Sequence, residues 1–271
     1  MTIIGIFGLL EKIVDFIGPA ITSGMMAGVG IMLAKVALEM SRENKMVAYS
    51  SMAIAFITYM LTKDLVYTIT LSVVLSSVIA FMRKQKSDIA ITEREKLKLQ
   101  KLIINRNIIR GALAMICLNI GSNIAFGKIT GDIANMDVNV DHLSIYSSLA
   151  DMVSALFGGG PVESVISATG SAPHPMFSGV LMMVLMAIIL FAGLLPKIGK
   201  YIPSESIAGF LFVLGAIITV PSNAVTALTA EGIAGGPIVG GVTMTVTAIT
   251  DPFLGMVSGL IIKILAQFIG M

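Results

Sequence analysis

At 271 residues the chain could bury a large core, yet it is 56% apolar and only 13% charged, about half the charge of a soluble domain. A mean hydropathy of +0.93 and recurrent long apolar runs exclude a water-exposed globule and imply an all-α polytopic membrane protein. The net charge of +2 is too small to suggest a nucleic-acid partner, and the lone Cys117 can form no internal disulfide.

In chain order, residues 1–17 carry Glu11, Lys12 and Asp15 among isoleucines and phenylalanines, which reads as an amphipathic segment at the membrane interface. The start, Met1-Thr-Ile-Ile, lacks the basic residues and cleavage site of a secretory signal peptide. A first span over 18–38 contains Gly24, Gly28 and Gly30, a small-xxx-small face suited to close helix packing. The polar loop Ser41 to Lys45 leads to a span over 47–62, and Lys63-Asp64 marks a tight turn into a span over 65–82.

Residues 83–110 are the strongly charged region. Nine lysines and arginines face three acids, and Thr92-Glu-Arg-Glu95 has capping-box spacing, so a helix is expected to start there. A solvated extramembrane helix is the plain reading, contact with anionic lipid the sharper one. The positive-inside rule places this segment in the cytoplasm.

A span over 111–127 follows, carrying Asn119, Ser122 and Asn123; polar residues inside a span face protein or a cavity. Residues 121–128 lack the spacing of a phosphate loop. Residues 130–142 read as a polar loop holding Asp132, Asp137, Asp141 and His142, without the spacing of a calcium loop. Ser144 to Phe157 is apolar but short.

Then comes Gly158-Gly159-Gly160-Pro161-Val162-Glu163-Ser164. Glycine costs about 1 kcal/mol and proline about 3 kcal/mol in a helix interior, so the backbone breaks here. A half-helix can restart at Pro161 and run to Ser171, before Pro173-His174-Pro175. Two short segments around a broken backbone point to a transporter site. An ionisable side chain at membrane depth needs a partner or a cavity, and the dipole of a restarting helix favours the Glu163 carboxylate. That carboxylate can accept two N–H groups from a planar ligand or take up a proton; alternatively it caps its own half-helix.

Met176 to Leu195 reads as a full span, Pro196 to Tyr201 as an interfacial turn, and 204–220 as a helix ended by Pro221-Ser-Asn223. Glycine-rich 232–241, the threonines 243, 245 and 247, and a last span opened by Asp251-Pro252 complete the chain. The total is about nine to ten membrane segments, including a broken half-helix pair. No His-Glu-x-x-His, Gly-x-Ser-x-Gly or cysteine pair occurs, so neither an enzyme, a cofactor nor a metal site is expected.

On these residues the chain resembles the nucleobase–cation symporter-2 permeases, the xanthine/uracil/guanine–hypoxanthine transporters. Glu11 to Gly30 resembles that family's fifth helix, Ser148 to Gly158 its ninth and Gly159-Gly-Pro-Val-Glu-Ser164 its broken tenth. Pro203 to Val220 resembles the twelfth, and Asp251 to Gly259 the start of the fourteenth. The resemblance implies part of a seven-plus-seven inverted-repeat fold that begins near the fifth helix. It implies gate-like segments over 1–82, a basic linker over 83–110, and a membrane repeat over 111–271 with its broken helix at 157–175.

The resemblance further implies a multi-pass transporter in the cell (inner) membrane for a nucleobase, coupled to H+ or Na+, working as a homo-oligomer or with a partner membrane chain. Glu163 would hydrogen-bond the base, with Gly160, Val162 and Ser164 presenting backbone or hydroxyl groups, and an alternative register puts the acidic position at Ser167. Asn119 and Asn123 join them as candidate substrate-binding residues, standing where the family carries an acid on its eighth helix. The family's loop at the place of 83–110 lies outside, against the positive-inside reading. The other readings are a non-transporting subunit that needs a partner chain, and a transporter of another small organic anion.

Overall fold

The computed structural model describes residues 5–83, 105–160, 164–199, 201–230 and 235–269. Among these residues every regular element is helical. The chain divides into two compact units: 1–29, 94–166 and 219–271 form the first, and 30–93 with 167–218 the second. The helix start expected at Thr92 lies outside the described residues.

The first unit opens with α1 (Leu9–Ile17) and the N-terminal part of α2 (Pro19–Glu43). It continues with α5 (Arg106–Ala134), α6 (Val140–Leu156), α10 (Val220–Thr229), α11 (Gly236–Ile249) and α12 (Pro252–Ile269). The second unit holds the rest of α2, α3 (Lys45–Thr62), α4 (Leu65–Met82), α7 (Pro175–Phe191) and the short α8 (Leu195–Gly199). It ends with α9 (Ala208–Phe212), entered through a 3-10 turn at Ser204–Ile207.

Among the described residues four helical runs are long and apolar enough to cross a membrane: Pro19–Glu43, Leu65–Met82, Ser204–Thr229 and Pro252–Ile269. Pro175–Phe191 and Gly236–Ile249 are shorter apolar helices. The distribution of side chains agrees with a lipid surround. Helix α7 buries none of its residues, and Phe177 and Phe191 are 70% and 87% exposed. In water such a helix would be an aggregation site. Small polar side chains lie inside instead: Ser51, Thr68, Ser72, Ser76, Thr243 and Thr247 are fully buried. The protein is an α-helical, membrane-embedded chain.

On α4 the residues Thr68, Ser72, Ser76 and Ala80 are buried at four-residue intervals, one stripe of a helix. Tyr67, Leu71, Val74, Val78 and Phe81 are exposed on the remaining faces. Lipid is as apolar as leucine, so helices associate through close packing of small residues. The α3–α4 connection is the expected turn at Lys63-Asp64. Lys63 takes a left-handed conformation (φ 56°), and the Asp64 carboxylate accepts from Val66 N at 2.7 Å and Tyr67 N at 3.4 Å. Ser51 of α3 ties the next crossing: its hydroxyl donates to Ser206 O at 2.5 Å and accepts from Gly209 N at 3.1 Å. A Cβ at Gly209 would run into the Ser51 backbone.

In the first unit, two glycine pairs close on one threonine pair. A Cβ at Gly24 or Gly28 of α2 would collide with Thr243 or Thr247 of α11, and one at Gly259 or Gly255 of α12 would meet the same two threonines. The Gly24–Gly28 face is therefore a packing face, as its spacing suggests.

Helix α1 is held at both ends. Asp141 of α6, 4% exposed, accepts from Leu10 N at 3.0 Å and Glu11 N at 3.1 Å. Lys263 of α12 donates to Phe16 O at 2.7 Å and Ile17 O at 3.2 Å. An anion at the helix start and a cation at its end both complement the helix dipole.

Four boundaries differ from the sequence reading. The loop over Ser41 to Lys45 shrinks to Asn44, which caps α3 by accepting from Val47 N at 3.3 Å. The polar loop over 130–142 shrinks to 135–139, because α5 runs on to Ala134 and Asn139 caps an earlier α6. Pro221 does not end its helix: a π-helical stretch, Val213–Thr219, precedes it and α10 runs on to Thr229. The wider π coil gives room for a proline that would otherwise clash with the preceding turn. The fourth concerns the expected half-helix after Pro161. Residues 164–167 are not helical, and a 3-10 turn at Ala168–Ser171 is all that follows. Ser167 accepts from Thr169 N through its own hydroxyl, the local bond that competes with helix.

Two predictions follow from these contacts, both read as unfolding free energy in mild detergent. Gly28→Ala should destabilise by about 1–3 kcal/mol through overpacking, whereas the same change at Gly160, which has open space around it, should cost less. Asp141→Ala should cost about 1–3 kcal/mol by orphaning Leu10 N, and Asp141→Asn, which keeps one acceptor, should cost less.

Candidate functional site

Ser154 explains the glycine run. Its carbonyl accepts from Gly159 N at 2.8 Å, while Gly158 N donates to Ala155 O at 3.1 Å. With Gly158 left-handed (φ 81°), this pair of bonds is a Schellman stop. A Cβ at Gly159 would strike the Ser154 hydroxyl, which itself donates to Gly160 O at 2.7 Å. Gly158 and Gly159 therefore terminate α6, and Gly160 is fastened to that terminus by its carbonyl. Pro161, Val162 and Glu163 lie outside the described residues, so the two candidates Val162 and Glu163 do too.

Ser164, the next described residue, does not stand alone. Its hydroxyl donates to Asn123 Oδ1 at 2.6 Å. Asn123 of α5 is 1% exposed and donates through Nδ2 to Ser144 Oγ at 3.0 Å and Ser147 Oγ at 3.1 Å, both on α6. One turn earlier on α5, Asn119 Nδ2 donates to Asp151 Oδ2 of α6 at 3.2 Å. The result is a polar seam along the α5–α6 contact, ending beside a backbone that has left the helix.

The structure thus brings Asn123 and Ser164 together directly, and places Asn119 and Gly160 on the same pair of helices and its exit. Both N–H groups of Asn123 are used within the seam, so its remaining capacity is as an acceptor. Asp151, half-buried, brings a carboxylate to a seam whose other helix carries no acid over 111–127. The charge stands on the neighbouring helix. The signal was present as period: Ser144, Ser147, Ser148, Asp151 and Ser154 recur at three and four residues, a polar stripe on an apolar helix. Asn119, Ser122 and Asn123 repeat the pattern on α5.

Ser167, the alternative acidic register, caps the 3-10 turn and shares a 2.8 Å bond with Thr169 Oγ1. His174 is the exposed residue before α7, with Pro175 in that helix's first turn. Among the described residues no cluster of three or more His, Cys, Asp or Glu side chains could hold a metal ion. Chemically, the seam offers a carboxylate, an amide oxygen and serine hydroxyls, a set suited to hydrogen-bonding a small polar molecule.

Asn123→Ala removes three side-chain hydrogen bonds. At about 0.6 kcal/mol for each bond between membrane helices, the variant should lose about 2 kcal/mol in a detergent unfolding titration. Asn123→Asp, which keeps the shape and loses the donors, should also be destabilised. Compared with family models and with curated proteins, the chain matches neither.

Proposed function

We propose that the protein is a secondary active permease for a small planar nucleobase such as uracil, xanthine, guanine or hypoxanthine. The observation that carries the reading is the part-buried seam Asn119–Asp151 and Asn123–Ser164, lying beside the point where the backbone leaves α6. Irregular backbone at membrane depth is tolerated where it is buried in protein or lines a cavity, and intramembrane ionisable groups are functional by default. In this reading Glu163 accepts from the ring N–H groups of the base, Ser164 and the Gly160 and Val162 backbone complete the contact, and Asn119 and Asn123 hold the wall.

Asp151 supplies the acidic group for coupling to H+ or Na+. About nine to ten segments of a partial seven-plus-seven repeat fold carry the site in the cell (inner) membrane. The chain works as a homo-oligomer or with a partner membrane chain. A second reading, a non-transporting subunit whose seam only fastens α5 to α6, is favoured by one observation: both Asn123 donors are used inside the protein.

Uptake of radiolabelled uracil, xanthine, guanine and hypoxanthine by cells expressing the chain separates the two. The permease reading predicts accumulation above the vector control, reduced by Glu163→Gln about tenfold or more, the worth of a charge-assisted hydrogen bond. Asp151→Asn should also reduce it. Uptake indifferent to Glu163→Gln, or absent even with the neighbouring genes co-expressed, would favour the subunit.

A further inference from the structure

We propose that the second unit holds an anionic glycerophospholipid at the C-terminal end of α4, its acyl chain in an apolar groove and its phosphate against Arg83 and Lys197. The groove has a volume of about 370 Å³ and is walled by Val73, Val74, Ser77, Val78, Phe81 and Tyr201, among others. Phe81 and Tyr201 stand with ring centroids 6.2 Å apart. Both are well exposed, as aromatic side chains at the membrane–water boundary are. Arg83, at the C-cap of α4, follows Phe81 by two residues, and Lys197 on α8 precedes Tyr201 by four. Both cations are exposed, and neither belongs to an ion pair among the described residues.

Ser77 is the second, independent observation. It lines the groove, and its buried hydroxyl has no hydrogen-bond partner. Its neighbours on the same helix solve that problem locally: Ser72 donates to Ile69 O at 3.1 Å and Ser76 to Val73 O at 3.3 Å. A buried unpaired hydroxyl is costly; Val73, Val74 and Val78 beside it carry no polar group to pair with it, and the other polar side chain lining the groove is Tyr201. A ligand carrying an acceptor at that depth satisfies it. Ser77 lies six residues below Arg83, about 9 Å along a helix. A glycerophospholipid has its ester carbonyls between phosphate and acyl chain, in the order that Arg83, Ser77 and the valines require.

The test uses the full chain purified in a neutral detergent, titrated with phosphatidylglycerol or phosphatidylcholine of identical acyl chains, with bound lipid read by native mass spectrometry. The wild type should retain phosphatidylglycerol in preference to phosphatidylcholine. Arg83→Gln and Lys197→Gln, both at exposed positions, should each weaken phosphatidylglycerol retention about fivefold and leave phosphatidylcholine unchanged. Val74→Trp, which fills the groove from an exposed position, should lose retention of both lipids. Ser77→Ala should weaken both lipids while leaving the phosphatidylglycerol preference intact. Equal retention of the two lipids by the wild type, a preference that survives the paired charge substitutions, or retention undiminished by Val74→Trp would each overturn the proposal.

Discussion

The structure depends on one constraint: in lipid, helices gain nothing by hiding apolar surface from one another. Association then rests on contacts that lipid cannot imitate, namely close backbone approach and hydrogen bonds between side chains. Both occur where the sequence departs from its apolar background. Thr243 and Thr247 are enclosed by the glycine pairs of α2 and α12. Ser51 bridges Ser206 and Gly209. Asp141 and Lys263 hold opposite ends of α1 with charges that match its dipole. These small and polar residues do the organising, and the valines, leucines and methionines mostly face outward.

The same constraint gives the α5–α6 seam its meaning. A polar side chain in a lipid surround must find partners within the protein, and Asn123 finds three. One of them, Ser164, lies beyond the end of α6, so the bond also positions the chain leaving the helix. The Schellman stop at Gly158 and Gly159 and the Ser154 bond to Gly160 fix the start of that exit. The glycine run thus has a structural role of its own. A carboxylate, Asp151, stands one helical turn away along the seam.

Much of this was legible in the sequence, for physical reasons that differ by element. The helices over 47–62 and 65–82 and the turn between them are readable because Lys63-Asp64 interrupts two apolar runs with a helix cap. The Gly24–Gly28 face was readable from its spacing, but its partner was not, since Thr243 and Thr247 lie far along the chain. The continuation of the helix through Pro221 was hidden because a π-helical stretch has no residue signature, and proline alone argues for a stop. The half-helix expected after Pro161 is absent over 164–167, where Ser167 satisfies Thr169 N locally, a choice that hydropathy does not register. At the candidate site, Asn119, Asn123 and Ser164 were singled out as polar groups among apolar ones. Asp151 is hidden to hydropathy by the short apolar segment around it, and emerges only as a member of the stripe it shares with Ser144, Ser147 and Ser154.

In the proposed permease, the exit from α6 and the adjoining seam form one wall of a binding site for a neutral, planar, hydrogen-bonding solute. A ligand that binds the folded state alone raises its apparent stability in proportion to its concentration over Kd. The most direct measurement is therefore the thermal unfolding of the purified chain in detergent, with and without uracil, xanthine, guanine and hypoxanthine. The account predicts a concentration-dependent rise in Tm with at least one base, lost in Glu163→Gln and reduced in Asp151→Asn. No shift with any of the four, or a shift of equal size in the Glu163→Gln variant, would contradict it.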